Sequence, residues 1–113
     1  MQIQVNTDKN LLGGERLTDY VKLAVKAKLG RFGSQITRIE AHLSDENGHK
    51  SHGEDKKCVL EARPSGRQPV AVTHIAATVD QAISGATEKL ERMLDHTFSQ
   101  QNDTRSVPPS QGE

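Results

Sequence analysis

From Glu15 to Phe32 the apolar residues Leu17, Val21, Ala24, Val25, Leu29 and Phe32 recur at helical spacing, and from Val79 to Phe98 the residues Val79, Ile83, Ala86, Leu90, Met93 and Leu94 do the same. Stepping by about 100° per residue gathers each set on one face and leaves the remainder of each helix to charge. A helix with one apolar stripe needs a surface to cover, and the other patterned stretches supply it. These are "QIQV" (2–5), "QITRIEAHLS" (35–44), "KCVLEARP" (57–64) and "PVAVTHIAA" (69–77). The first two alternate as half-buried strands do, with Ile39, Ala41 and Leu43 inward and Arg38, Glu40 and His42 outward. In the last strand Val70 and Val72 compete with Ala71 and Ile75 for the buried face. Gly33 reads as the stop of the first helix, and "DENGHKSHGEDK" (45–56) reads as a solvated hairpin loop of turn formers and charge. The order β-α-β-β-β-α then implies an α+β, two-layer domain, a four-stranded sheet with both helices on one face and the other face open.

At 113 residues the chain is long enough for one domain with a modest core. We place that domain at residues 1–98. Beyond it "SQQNDTRSVPPSQGE" (99–113) is polar, Pro-containing and free of pattern, as expected of a disordered tail. No stretch approaches the roughly 20 apolar residues of a membrane span, and the N-terminus has no apolar run of signal-peptide length. A single cysteine, Cys58, excludes an internal disulfide, which points to a reducing compartment and a cytoplasmic protein.

Lys and Arg number 15, as do Asp and Glu, so a polyanionic partner could be met only through local sorting of charge. That sorting is present. The first helix carries Arg16, Lys22, Lys26, Lys28 and Arg31 against Glu15 and Asp19, with Lys22 and Lys26 on an outward face and Lys28 beside the apolar stripe. Residues 56–67 carry Lys56, Lys57, Arg63 and Arg67 against Glu61, offset by the acids of 45–55. On the second helix Lys89, Arg92 and His96 fall with Gly85 on one stripe, and Glu88, Glu91 and Asp95 on another beside it. These stripes fit either a solvated helix with a Glu88–Arg92 pair or a face made to meet phosphates. With only Tyr20, Phe32 and Phe98 as aromatics, a reader of single strands by base stacking is disfavoured.

Catalytic and metal chemistry find little footing. His49, His52 and Cys58 have a spacing that matches no closed zinc set. No nucleophile, base and orienting group assemble, Cys58 sits in a strand as an inward residue, and no G-x-S-x-G occurs. "GRFG" (30–33) imitates the loop of a KH domain, but a strand follows it where a helix should. The expectation is a protein that is not an enzyme and has no cofactor, metal or small-molecule substrate.

Element order, together with "LTDYVKLAVKAKLGRF" (17–32) and "DQAISGATEKLERMLD" (80–95), resembles the family of ribosome hibernation-promoting factors and ribosome-associated inhibitors, also called sigma-54 modulation proteins, in its short form. The more telling pieces are Leu17-Thr18-x-x-Val21-Lys22, Ala82-Ile83 and Lys89-Leu90-Glu91-Arg92-x-Leu94, and the similarity spans about residues 1–98. The resemblance implies a stress factor that occupies the messenger and transfer-RNA channel of the small ribosomal subunit and idles translation. It also implies contacts to ribosomal RNA through Lys22, Lys26, Lys28 and Arg31 of the first helix and Lys89 and Arg92 of the second. Asp80 stands where the family usually has an aromatic residue. Long members add a second domain that pairs ribosomes; here a short polar tail follows, so pairing by that route is not expected. The alternative is a protein-interaction or regulatory module on the same scaffold, using Arg38, Glu40, His42, Glu61 and Arg63 of the open sheet face. A third possibility is a metal sensor built on His49 and His52.

Overall fold

The computed structural model describes residues 1–8, 11, 14–46 and 55–106, with side chains described to residue 99. Six elements carry the fold: β1 (Gln2–Thr7), α1 (Gly14–Leu29), β2 (Ile36–Asp45), β3 (Lys56–Pro64), β4 (Val70–Ala76) and α2 (Val79–Ser106), with a 3-10 helix, Gly30–Gln35, leading into β2. The strands form one sheet in the order β1-β2-β3-β4. β1 and β2 are joined through a helix and run parallel, whereas the shorter connections leave β2–β3 and β3–β4 antiparallel. The expected β-α-β-β-β-α two-layer domain is what the chain adopts.

The core lies between the sheet and the helices. Ile39, Ala41 and Leu43 of β2, Cys58, Leu60 and Ala62 of β3, and Val72 and Ala76 of β4 meet Val21, Val25 and Leu29 of α1 and Ala82, Ile83, Ala86, Leu90, Leu94 and Phe98 of α2. The competition in β4 is thus resolved for Val72, and Ile75 is left 45% exposed on the open face. One register slip on β4 would reverse this, because successive side chains point to opposite faces.

Two element boundaries differ from the sequence expectation. α1 gives way at Leu29, short of Phe32. Gly30 weakens the α-helix there, and the tighter 3-10 turn keeps Phe32 three residues after Leu29 on the core side, where it packs on Phe98 with ring centroids 5.6 Å apart. The turn also runs through Gly33, which is therefore not the stop. α2 does not end at Phe98; its backbone stays helical to Ser106. No Gly or Pro interrupts 99–106.

Two expectations about burial also fail. Met93 is 43% exposed, and Thr87 takes a buried place on α2, its hydroxyl donating to the Ile83 carbonyl at 2.6 Å. α2 covers β3 and β4 and also leans on α1, which turns its buried arc towards Thr87 and away from Met93. The ends of the "solvated" hairpin are buried as well. Asp45 and Asp55 converge on the Lys56 ammonium at 3.4 and 2.8 Å, and the Asp55 hydrogen bond, opposed by burial, raises the Lys56 pKa. His49 and His52 lie outside the described residues, and among the described residues no group of three His, Cys, Asp or Glu could hold a metal ion. Nor is any described helix long and apolar enough to cross a membrane.

α2 is started by a side chain rather than by the dipole alone. Thr78 Oγ1 accepts from the Gln81 amide at 3.1 Å while the Thr78 carbonyl accepts from Ala82 at 3.0 Å, the arrangement of an N-cap. Gly66, at φ 71°, turns the chain between β3 and β4, with the Arg67 amide returning to the Pro64 carbonyl at 3.3 Å.

Candidate nucleic-acid interface

α1 and α2 lie side by side and run in the same direction, since Tyr20 meets Asp80, Lys28 meets Glu91, and Arg31 meets Asp95. Their outer surface is the face that displays all six basic residues expected to touch RNA. The structure divides those six into three groups.

Lys22 and Lys26 are exposed on the β1 side of α1. They rim a groove of about 740 Å³ whose floor is Met1, Ile3 and Leu23, with Asp19 at one end. Leu23 is 69% exposed, an apolar side chain between two cations. Neither lysine is within ion-pair distance of a carboxylate among the described residues.

Lys89 and Arg92 stand on the opposite flank, over β4. Lys89 Nζ donates to the Thr73 carbonyl at 2.9 Å, which ties the ammonium to the sheet edge. Arg92 reaches back to Glu88 at 3.8 Å, one helical turn away, with both side chains largely in solvent. A pair of that kind contributes a few tenths of a kcal/mol and yields readily to a phosphate. His96, Met93 and Val72 complete a shallow depression of about 390 Å³ beside them.

Lys28 and Arg31 are different, because their charges are already answered. Lys28 Nζ lies 3.7 Å from Glu91, and Arg31 Nη2 lies 3.5 Å from Glu91 and 2.8 Å from Asp95. The Arg31 guanidinium carbon also sits 4.2 Å over the Phe32 ring, a cation–π contact that holds it from beneath. Glu91 and Asp95 of the acidic stripe therefore face α1 in the seam between the helices, whereas Glu88 turns to Arg92.

Tyr20 and Asp80 close the other end of that seam. The Tyr20 hydroxyl donates to Asp80, which raises its pKa and keeps it protonated as a donor. In this chain the residue at the start of α2 makes a polar bridge to α1, and Asp80 also suits the positive end of the helix. Sequence reasoning did not find this bridge, nor the contact of His74 with Gly85, which pairs a half-buried ring on β4 with the one position on α2 that has no side chain. A Gly inside a helical pattern was the available signal for a close approach.

The open sheet face offers no comparable concentration of one sign. Arg38 pairs with Glu40 at 2.8 Å, His42 lies 3.4 Å from the same carboxylate, and Arg63 pairs with Glu61 at 3.5 Å. Glu40 and Glu61 face each other across β2 and β3. Cys58 is fully buried on the other face, and burial pushes its thiol up to about 12, so it has neither the access nor the thiolate a nucleophile needs.

The family model described as sigma 54 modulation protein / S30EA ribosomal protein matches residues 4–102. Solved structures similar in fold include the following two. The N-terminal domain of Protein Y from Thermus thermophilus has a TM-score of 0.68 at 23% identity, over 86% of this chain and 99% of that one. A ribosomal subunit interface protein from Coxiella burnetii has a TM-score of 0.66 at 14% identity, over 88% and 99%. No curated protein matches the sequence.

Proposed function

Because the chain belongs to the sigma 54 modulation protein / S30EA ribosomal protein family, we propose that it is a ribosome-associated hibernation factor that binds the small ribosomal subunit and blocks translation by occupying space. The contacts are to phosphates of ribosomal RNA, made by the helical layer. The observation that carries this reading is the placement of Lys22, Lys26, Lys89 and Arg92, four exposed cations on one layer whose only charged partner among the described residues is the weak one of Arg92. No step of this action needs a bond made or broken, and a ribosomal partner puts the protein in the cytoplasm.

Binding of this kind releases counterions, so affinity falls linearly on a log–log plot against salt, with a slope of about 0.7 to 0.9 per phosphate neutralised. Co-sedimentation of the purified protein with small subunits across a salt series is the direct test. A steep decline is expected, and replacing Lys22, Lys26, Lys89 and Arg92 together by Ala should abolish binding while the circular dichroism spectrum is unchanged. Failure of the native protein to sediment with subunits even at low salt would reject the function. Retained affinity of the four-residue variant at moderate salt would reject the site. The alternative, a protein-binding module on the open sheet face, predicts weak salt dependence and loss of binding on changing Glu40 and Glu61 instead.

A further inference from the structure

A face built to meet phosphates carries, along its centre, two carboxylates. Glu91 and Asp95 are not scattered acids on a solvated helix: both reach across to α1, and between them they contact Lys28 and Arg31 at 3.7, 3.5 and 2.8 Å. Arg31 is further held by Phe32 beneath it, and that ring by Phe98, so the guanidinium is presented to the carboxylates while its side chain stays 52% exposed. A phosphate arriving at the seam would have to share the Arg31 guanidinium with Glu91 and Asp95 and lie beside their charge. At the flanks the situation is reversed, since among the described residues no carboxylate contacts Lys22 or Lys26 and only Glu88 reaches Arg92.

We propose that Glu91 and Asp95 set the selectivity of the helical face: they act as built-in counter-ions for Lys28 and Arg31, so that the protein passes over RNA offering one backbone track to the seam and holds RNA whose phosphates reach both flanks. This rests on the reading of the helical layer as an RNA-binding face. It gives two of the fifteen acids of this uncharged chain a role on a polyanion-binding face, since they quiet the seam without touching Lys22 or Lys26. It also revises the expected contact set, moving Lys28 and Arg31 from RNA ligands to partners of α2. Exposed pairs contribute little to stability, so the charge can be removed without removing the fold.

The test is a double-mutant cycle on the full chain, with Glu91→Gln/Asp95→Asn as one arm, Lys28→Ala/Arg31→Ala as the other, and the four changes combined. The amide replacements keep shape and hydrogen-bonding capacity while removing charge. The first probe is a short RNA duplex of arbitrary sequence, titrated over a salt series. The amide variant should bind it at least about tenfold more tightly, with a log–log slope steeper by the one to two phosphates that Lys28 and Arg31 can newly reach. The alanine variant should bind like the native chain, and the combined variant should lose the gain. With small subunits as the second probe, the amide variant should gain less than with the duplex, so its preference for subunits falls.

A gain that survives in the combined variant would show a general charge effect and overturn the proposal. So would no gain at all, which would leave Glu91 and Asp95 as ties between the helices, or an equal gain on both probes. The duplex cycle reads the seam whether or not the native protein sediments with subunits, so its failure is distinguishable from failure of the ribosome reading.

Discussion

Gly85 shows how a single position can be read two ways. By helix propensity, Ala in place of Gly inside α2 should stabilise by about 1 kcal/mol. The structure reverses the sign, because a Cβ at Gly85 would fall within the His74 ring. The half-buried ring would have to move to admit it, and such overpacking costs about 1–3 kcal/mol. Gly85→Ala should therefore unfold at lower urea than the native chain, whereas Gly85→Ala with His74→Ala should recover much of the loss. Cys58 supports a second residue-level prediction. Its folded thiol stays protonated to about 12, well above the ordinary thiol range. As pH rises from that ordinary range towards 12 the unfolded chain gives up a proton that the folded chain keeps, so stability is fully present below the ordinary thiol pKa and declines above it. Urea midpoints should fall between pH 8 and pH 10, more steeply than in Cys58→Ala, and a thiol reagent should label Cys58 only at the rate of unfolding.

Among the elements, α2 depends most on a local signal. Thr78 caps it, and Thr78→Ala should cost about 1 kcal/mol, read as a lower urea midpoint with an unchanged slope. That cap was visible in the sequence only as a Thr before a periodic run, but the run itself was plain, as were the other five elements. The reason is that a two-layer sheet imposes period two on strands and period 3.6 on helices wherever one face is buried, and Ile39, Ala41 and Leu43 or Val21, Val25 and Leu29 record it directly. What the pattern could not carry was the second neighbour of a helix. Met93 and Thr87 exchange places because α2 packs on α1 as well as on the sheet, and no wheel of α2 alone contains α1. The candidate site divides in the same way. That Lys28 lies beside the apolar stripe was legible from its spacing, but that Glu91 and Asp95 stand across from Lys28 and Arg31 depends on pairing residues 60 or more positions apart. The cluster of buried Asp45 and Asp55 on half-buried Lys56 was hidden by composition, since turn formers and charge at the ends of a hairpin look the same whether or not they fold back on the strand.

For the whole molecule, the arrangement of charge makes a statement about additivity. Lys22 and Lys26 flank β1 at one edge of the sheet, and Lys89 is tied to β4 at the other. Four strands at about 4.8 Å spacing set those edges about 14 Å apart, further than the Debye length of about 8 Å at physiological ionic strength. The charge-balanced seam of Lys28, Arg31, Glu91 and Asp95 lies between them and adds no net positive charge to join the flanks. Two groups so placed, with no shared partner, should contribute independently to binding. Lys22→Ala/Lys26→Ala and Lys89→Ala/Arg92→Ala should each reduce the salt slope for small subunits by about one to two, and the sum of their free-energy effects should equal that of the four-residue variant, provided its residual binding is measured at low salt where it can still be detected. A continuous basic surface would behave otherwise. There the first pair removed would weaken the field holding the second, and the combined loss would differ from the sum. Additivity would mean that the protein grips RNA with two separate edges of its helical layer, which is the arrangement a body wedged in a channel requires and one that a protein lying along a single duplex does not.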